Sequence, residues 1–537
     1  MPAAACGHIP SRSGRHAEDE PAPTGGAPTS DTSLRASPPT ILWLRRDLRL
    51  GDNPALVAAA REAHARGGGL LPVYVWEPPG RRPWAPGGAA RWWLFRSLES
   101  LDADLRRLGS RLLVERGDPA DVVATLAADL AAGAVVWAEG LEPDETADDA
   151  ALRAALGSRG VEAVVAPQAN LLAGPLAVRT REGRPYTVFT PYWRARLAAG
   201  APDEPLAAPA ALPPAPAEPP GLEFAQLEAE AVKPWSSGFA EIWRPGERGA
   251  KARLDEFVAG PLAGYAADRD LLGLDGSSRL SPHLHWGELT ARQAWHAVRG
   301  MLEEAGLDLE AAVGPPGWDE EQAPGLRRSA GAFLRQFGWR EFGHHLLAAF
   351  PRTPAEPLRE RFAAFPWRDD PAALAAWRRG LTGYPVVDAA MRQLWATGWM
   401  HNRARLLAGS FLVKDLLQPW REGAAWFWDT LVDADLANNT LGWQWVGGCG
   451  ADAAPYFRVF NPVTQGRRFD PDGAYVRRWV PELAGLDVAH IHAPWLAPAD
   501  ALAAAGVTLG ETYPEPLVDH GEARVRALAA YERVRAR

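Results

Sequence analysis

Four stretches in the second half of the chain carry side chains whose types and spacing could do chemistry. In the first, Gly276–Gly287, the residues SSRLSPHLHWG follow an opening glycine. Ser277, Ser278 and Ser281 around Arg279 bring hydroxyls, backbone N–H groups and a guanidinium just ahead of a helical pattern, an arrangement suited to a phosphate. The same serines would serve as caps of a helix start, and residue types alone leave both readings open. In the second, Phe333–His345 (FLRQFGWREFGHH), Gln336 and Trp339 stand three apart on one helix face, with Arg340 adjacent. An amide beside an indole can read a flat ligand with polar edges, or it can be a satisfied amide in a core. In the third, Gly383–Leu406, Asn402, Arg403 and Arg405 follow a helical pattern containing Trp395 and Trp399. The fourth, Trp420–Trp445, sets Asp433 and Asp435 beside paired asparagines and a W-x-W. That D-x-D could bind a metal, but no further carboxylates or histidines gather near it in the sequence, and no metal is expected.

The elements that must position these residues are legible from composition and periodicity. The chain has 537 residues, which predicts two or three domains. Residues 1–39 are rich in Ala, Pro, Gly and Ser and read as a disordered tail. Over 40–170, apolar runs alternate with helical patterns. The predicted strands are Ile41–Leu44, Leu70–Trp76, Arg111–Glu115, Ala134–Ala138 and Val161–Ala166. The predicted helices are Asn53–Ala65, Ala90–Leu108, Pro119–Ala132 and Thr146–Gly157. This alternation predicts an α/β fold with a doubly wound parallel sheet. No G-x-G-x-x-G follows the first strand, so a nicotinamide site is unsupported. Residues 171–235 read as a connector, with 201–220 too rich in proline for helix or sheet. Helical periodicity then dominates 236–520, an all-helical domain, and 521–537 read as a C-terminal helix or tail.

Composition bounds the class. No apolar run approaches the roughly 20 residues of a membrane span, and two cysteines, Cys6 and Cys449, cannot build a disulfide framework. With no leader pattern in 1–39, a cytoplasmic, monomeric protein is expected. The net charge of −9 argues against a nucleic-acid partner. Local arginines at 403, 405, 458, 467 and 468 weigh the other way, because phosphate binding depends on the face presented. Charge alone leaves ordinary ion pairs the simpler reading. Twenty-four tryptophans are an unusual share, and most are expected to be core anchors.

Taken together, ILWLRRDLRLGDNPAL, SSRLSPHLHWGELT, WREF, TGYPVVDAAMRQLWATGWMHNR, WREGAAWFWDTLVDADLANN and ADAAPYFRVFNP resemble the signatures of the photolyase/cryptochrome family. They occur in the family's order and span about residues 41–485. Within that family the chain is most similar to bacterial class I cyclobutane pyrimidine dimer photolyases. The resemblance implies an α/β antenna domain, then a helical domain holding FAD in a U shape, acting on pyrimidine dimers in damaged DNA under blue light.

Residue by residue, Tyr265 and Ser277, Ser278, Arg279, Leu280 and Ser281 match the family's flavin-phosphate contacts. Arg405 and Asp433 match an ion pair beside the flavin ring, Ala434 and Asp435 match further FAD contacts, and Asn439 matches the residue facing the ring's central nitrogen. Trp443, Trp420 and Trp367 match an electron-transfer chain to the surface. Arg269, Gln336, Trp339, Asn402, Arg403, Trp445 and Gln465 match positions lining the DNA or dimer pocket, where Trp339 and Trp445 would stack on extruded pyrimidines. Glu145 lies where a folate-binding glutamate occurs in some relatives. The antenna chromophore would be methenyltetrahydrofolate or a deazaflavin, although a solvated acidic helix start is the simpler reading of Glu145.

Two positions leave the dimer-repair pattern. Gln336 replaces the usual glutamate three residues before the tryptophan of WREF, and Leu406 replaces a methionine. Relatives that repair (6-4) lesions need histidines where this chain has Asn402 and Leu406, and the iron–sulfur branch needs four cysteines. A blue-light receptor without repair activity is the main rival. Asn439 weighs against it, since plant-type receptors tend to carry Asp there and animal-type ones Cys, as does the short stretch after about residue 520.

Overall fold

The computed structural model describes residues 37–216, 221–309, 325–452 and 458–535. The tail expected over 1–39 lies outside the described residues up to position 36, as do positions 453–457 of the ADAAPYFRVFNP stretch.

Strands β1 (Thr40–Leu44), β2 (Leu70–Trp76), β3 (Leu113–Arg116), β4 (Ala134–Ala138) and β5 (Glu162–Ala166) form one parallel sheet in the order β3-β2-β1-β4-β5. Helices α1 (Pro54–Arg66), α2 (Gly88–Arg107), α3 (Pro119–Asp129) and α4 (Pro143–Gly157) make the crossovers that parallel pairing requires. β1, β2 and β4 bury every residue, which is why they read as continuous apolar runs. The helix starts follow from local chemistry. Asn53 caps α1 by accepting from Leu56 N, Asp118 caps α3, and proline occupies the first turn of α1, α3 and α4. Trp43, Trp76, Trp92, Trp93 and Trp137 are fully buried in this domain, as is Trp377 in the next.

The opening signature RRDLRLGDN locks the sheet to the helical domain. The buried Arg49 donates to Asn170 Oδ1 at 2.8 Å and to Gly287 O at 2.7 Å. Glu247 accepts from the N–H groups of Leu50 and Gly51 at 2.7 and 3.1 Å. Asp52 accepts from Thr290 Oγ1 at 2.6 Å and from Arg292 Nε at 2.7 Å. Gly287 has φ of 65°, and a Cβ there would lie 1.8 Å from Arg46 O, so only glycine lets the two backbones meet.

Among its described residues, the stretch 171–235 contains α5 (Phe189–Ala198) and α6 (Phe224–Ala231). Its proline-rich part, described to residue 216, forms neither helix nor strand but is tied to the sheet domain. Asp52 N donates to Leu206 O at 2.7 Å, Leu212 N to Leu108 O at 3.2 Å, and Leu70 N to Pro214 O at 3.3 Å. Beyond it, described residues form helices, turns and one isolated β-bridge. The last helix, His520–Arg535, buries Ala523, Ala527, Ala530 and Val534, and its Arg526 donates to Asp415 O at 2.9 Å. No helix among the described residues is long and apolar enough to cross a membrane.

Candidate functional site

The serine loop is held from behind. Arg253, on the helix Glu247–Ala259, donates from Nε to Ser278 O at 2.8 Å and from Nη2 to Ser277 O at 3.0 Å. The helix after the loop starts at Ser281 with Leu280 at its cap position, and no side chain caps it. The capping reading of Ser277, Ser278 and Ser281 is therefore set aside. Arg279 adopts a left-handed backbone with φ of 52°, rare for a non-glycine residue and costly unless surroundings enforce it. Its guanidinium lies 5.3 Å over the ring of Trp399, with Nε 3.0 Å from Asp275 Oδ1. Tyr265 is buried edge-on against Phe257 and Phe333, each ring 5.6 Å away, and Arg269 lies 5.8 Å over it.

The two aspartates of D-x-D are committed to arginines rather than to a shared ion. Asp433 receives Arg405 Nη2 at 2.8 and 3.1 Å, while Arg405 Nε donates to Met400 O at 2.8 Å. Asp435 caps the helix Leu436–Gly447: its Oδ1 accepts from Asn438 N at 2.9 Å and Asn438 Nδ2 at 2.7 Å. Its Oδ2 accepts from Arg340 Nη1 at 2.9 Å. Burial opposes the charge on Asp435, but Arg340, His344 and His285 outweigh it and hold the carboxyl well below the usual range. Ala434 is buried between the two aspartates. Asn439 donates from Nδ2 to Ala424 O at 3.1 Å. No group of three or more His, Cys, Asp or Glu among the described residues gathers as a metal site.

Asn439 and Trp443 stand four apart on the helix that Asp435 caps, so one face carries both. Trp443 is boxed in by Phe427 at 4.9 Å and Trp377 at 6.3 Å. A Cβ on Gly423 would lie 2.0 Å from its ring. Trp420 is buried in the same core cluster, and Trp367 packs partly buried at its margin, 4.4 Å from Phe365. The three expected relay residues thus run from buried to partly exposed within one cluster.

The expected pocket residues fall into two groups. Arg403 is paired with Asp270 Oδ2 at 2.6 Å and lies 4.3 Å over Phe469. Beside it in sequence Asn402 is exposed, and Gln465 is partly buried on the helix Pro462–Phe469. The second group is on the helix Gly325–Ala349, where Gln336 Nε2 donates to Ala332 O at 2.9 Å. Trp339 stacks face to face on Phe189 of α5 at 3.6 Å and 8°. One face of Trp339 is therefore already covered, and only its other face or edge can meet a base. Trp445 is partly buried. Arg467 and Arg468 are exposed, as is Arg458.

Glu145 is not a solvated helix start. Its side chain is 15% exposed and its Oε1 lies 3.0 Å from Arg46 Nε. Its Oε2 accepts from the N–H groups of Leu141 and Glu142 at 2.9 and 3.2 Å. Arg46 also grips Glu142 with two bonds of 2.5 and 2.6 Å. These residues fill the carboxyl ends of β1 and β4, where the winding of the sheet reverses and a doubly wound fold usually binds its ligand. Burial works against ionisation of Glu145, but Arg46 and Arg45 overcome it and bring the pKa to about 2. A depressed carboxyl gives stability that is present above its unfolded pKa, near 4.5, and lost as pH falls toward 2. Glu145→Gln is expected to be less stable than wild type at neutral pH, by on the order of 2 kcal/mol. The difference should shrink in urea melts taken between pH 4.5 and 3, and a constant difference would contradict the assignment.

Several site residues carried no role from the motifs: Arg253, Arg46, Phe189, His285, His344 and the arginine of WREF. Arg340 adjoins Trp339, but only folding brings it to Asp435, 95 residues away. The chemistry of the donor set suits a flavin nucleotide. Ser277, Ser278, Arg279 and Ser281 offer hydroxyls and a guanidinium for phosphates, and Arg405 and Asn439 offer polar groups for a ring; all six stay partly exposed.

Comparison with known proteins agrees with this layout. Residues 40–214 match the DNA photolyase family model, and 333–533 match the FAD binding domain of DNA photolyase. The deoxyribodipyrimidine photo-lyase of Agrobacterium fabrum is 44% identical over 94% of this chain and 99% of its own. Cryptochrome-2 of Arabidopsis thaliana is 38% identical over 92% of this chain and 79% of its own. A solved class III photolyase from Agrobacterium tumefaciens superposes with a TM-score of 0.85 at 43% identity, covering 95% of this chain and all of that one. With similarity of this depth along nearly its whole length, the chain belongs to the photolyase/cryptochrome family.

Proposed function

We propose that this protein repairs cyclobutane pyrimidine dimers in DNA, using light absorbed by FAD bound in the helical domain. The observation that carries the reading is the helix Leu436–Gly447, capped by Asp435, which carries Asn439 and Trp443 four residues apart and follows directly on the Asp433 that Arg405 pairs. A reduced, photoexcited FAD supplies the electron that opens the cyclobutane ring and takes it back, with no net redox change. The chain's own residues bind, orient and shield. The serine loop and Tyr265 hold the phosphate end. Arg405 and Asp433 flank the flavin ring with balanced charge, and the amide of Asn439 adds no charge beside its central nitrogen. Trp443, Trp420 and Trp367 pass electrons inward when the resting cofactor is oxidised. Arg269, Arg403 and Gln465 steady the DNA backbone, while Trp339, Trp445, Gln336 and Asn402 face the dimer's two pyrimidines, flipped out of the duplex.

A second reading, a blue-light receptor without repair, is favoured by the 38% identity to the Arabidopsis cryptochromes. The subclass is part of the same question, since the solved relative is named class III rather than class I. Purification in darkness followed by an absorption spectrum tests the cofactor. Competition between dimer-containing and intact oligonucleotides tests the partner. Repair predicts bound flavin and clear preference for the dimer, while equal affinity for both DNAs favours the receptor. An antenna chromophore, folate or deazaflavin, would add a near-UV or blue band beyond those of FAD.

Gln336 refines the proposal. Its amide already gives one N–H to Ala332 O, leaving a neutral donor for a pyrimidine carbonyl. A carboxyl there could donate a stronger hydrogen bond. Gln336→Glu is expected to improve dimer affinity or repair yield by about 1 kcal/mol, several-fold, while leaving FAD binding alone. Both quantities measured on one oligonucleotide decide it, and a fall in both would point to a different lesion.

A further inference from the structure

Phe189 belongs to a stretch that reads as connector, yet its ring is built against a residue expected to receive the lesion. It opens α5 and is 1% exposed. Its ring lies 3.6 Å from that of Trp339 with 8° between the planes, so the two are nearly eclipsed. Isolated aromatic pairs avoid that arrangement and prefer offset or edge-on packing, so the surrounding chain must impose it. Phe342 closes the corner, edge-on to Phe189 at 5.8 Å and to Trp339 at 6.1 Å. Trp339 itself stays partly exposed.

α5 is fixed against the helix Gly325–Ala349 that carries Trp339. A Cβ on Gly338 would lie 2.4 Å from the Trp193 ring, so this close approach needs glycine. Tyr192 packs 5.2 Å from Phe342 and 5.0 Å from His345. Arg196 Nη2 donates to Leu172 O at 3.1 Å, and its Nε stands 3.6 Å from Oε2 of the buried Glu341. Just ahead of Phe189, Asp452 N donates to Thr187 O at 3.2 Å. Turning the Trp339 indole would therefore mean displacing a buried ring whose backbone is tied on both sides. An indole already held in place stacks on a base without first having to be ordered. With one face shut by Phe189, it accepts a ring on the other face only.

We infer that Phe189 is a positioning residue for lesion binding: it fixes the plane of Trp339 and leaves the indole one face on which an extruded pyrimidine can stack. The inference rests on the dimer-repair reading above. The experiment measures the Kd of the flavin-loaded holoprotein for a dimer-containing oligonucleotide and for its intact counterpart. Phe189→Leu is made both in wild type and in Trp339→Ala. In wild type it is expected to weaken dimer binding about tenfold, with intact-DNA affinity and flavin absorption within about twofold of the parent. In Trp339→Ala the same substitution should change dimer affinity by less than about twofold, because the residue it acts through is gone. Equal weakening in both backgrounds would overturn the inference, since general loosening of the fold would then explain it. So would wild-type dimer affinity in Phe189→Leu. In wild-type protein labelled with fluorotryptophan, the Trp339 signal, identified by its absence in Trp339→Phe, should be one narrow line that moves when dimer DNA is added. A line broadened by exchange between ring orientations would also overturn the inference, and this measurement decides if Phe189→Leu does not fold. Unchanged dimer affinity in Trp339→Ala would instead overturn the placement of Trp339 in the lesion pocket.

Discussion

Replacing Trp443 by phenylalanine is expected to remove most light-driven reduction of the oxidised cofactor while sparing repair by enzyme reduced chemically beforehand. Phenylalanine keeps an aromatic ring in the box formed by Phe427, Trp377 and Gly423, but gives up an electron far less readily than an indole. The photoreduction rate should fall by more than about tenfold, the factor that 1.4 kcal/mol of added barrier alone would produce. The smaller ring leaves a cavity, so a stability loss of about 1–3 kcal/mol should accompany it. Flash photolysis of the oxidised protein measures the rate. If it is unchanged, electrons enter by another route and the Trp443–Trp420–Trp367 assignment fails.

Asp435→Ala should cause the largest loss of stability. The carboxylate caps the helix bearing Asn439 and Trp443 and is the charged partner of the mostly buried Arg340. Removing it leaves a buried guanidinium unpaired, a change that costs about 3–5 kcal/mol, with about 1 kcal/mol more from the lost cap. Denaturant melts should show that loss together with poor flavin retention. Asp435→Asn keeps the cap acceptor and should be milder. The carboxyl is held well below its ordinary value. Its stabilisation is therefore present above an unfolded pKa of about 4 and lost as pH falls through the folded value. Wild type should lose more stability below pH 4 than Asp435→Asn does, and parallel curves would show that Asp435 is not the charged anchor described.

The sheet was legible because its strands β1, β2 and β4 are buried on both faces and its helices carry local start signals. Predicted and observed strands differ by at most two residues at either end. Burial of the tryptophans was equally foreseeable, since few places but a core accommodate so many indoles. Other features depend on residues far apart in sequence. Nothing local marks Arg49 as a bridge to Gly287, 238 residues away, or Arg253 as the support of the serine loop. Glu145 looked solvated because its neighbours are acidic, yet the arginines following β1 enclose it. Trp339 was expected to lie open to a base, and Phe189, within a stretch that reads as connector, covers one of its faces. Periodicity shows which face of an element is apolar, but it does not identify the element that packs there.

The most direct test of the central claim is conversion of a defined cyclobutane thymine dimer in an oligonucleotide by purified, chemically reduced protein, with and without blue light. The account predicts restoration of intact thymines under illumination, over many turnovers and with no net consumption of reductant, and none in darkness. Flavin-loaded protein that binds the oligonucleotide but leaves the dimer intact under light would contradict it and favour a photoreceptor.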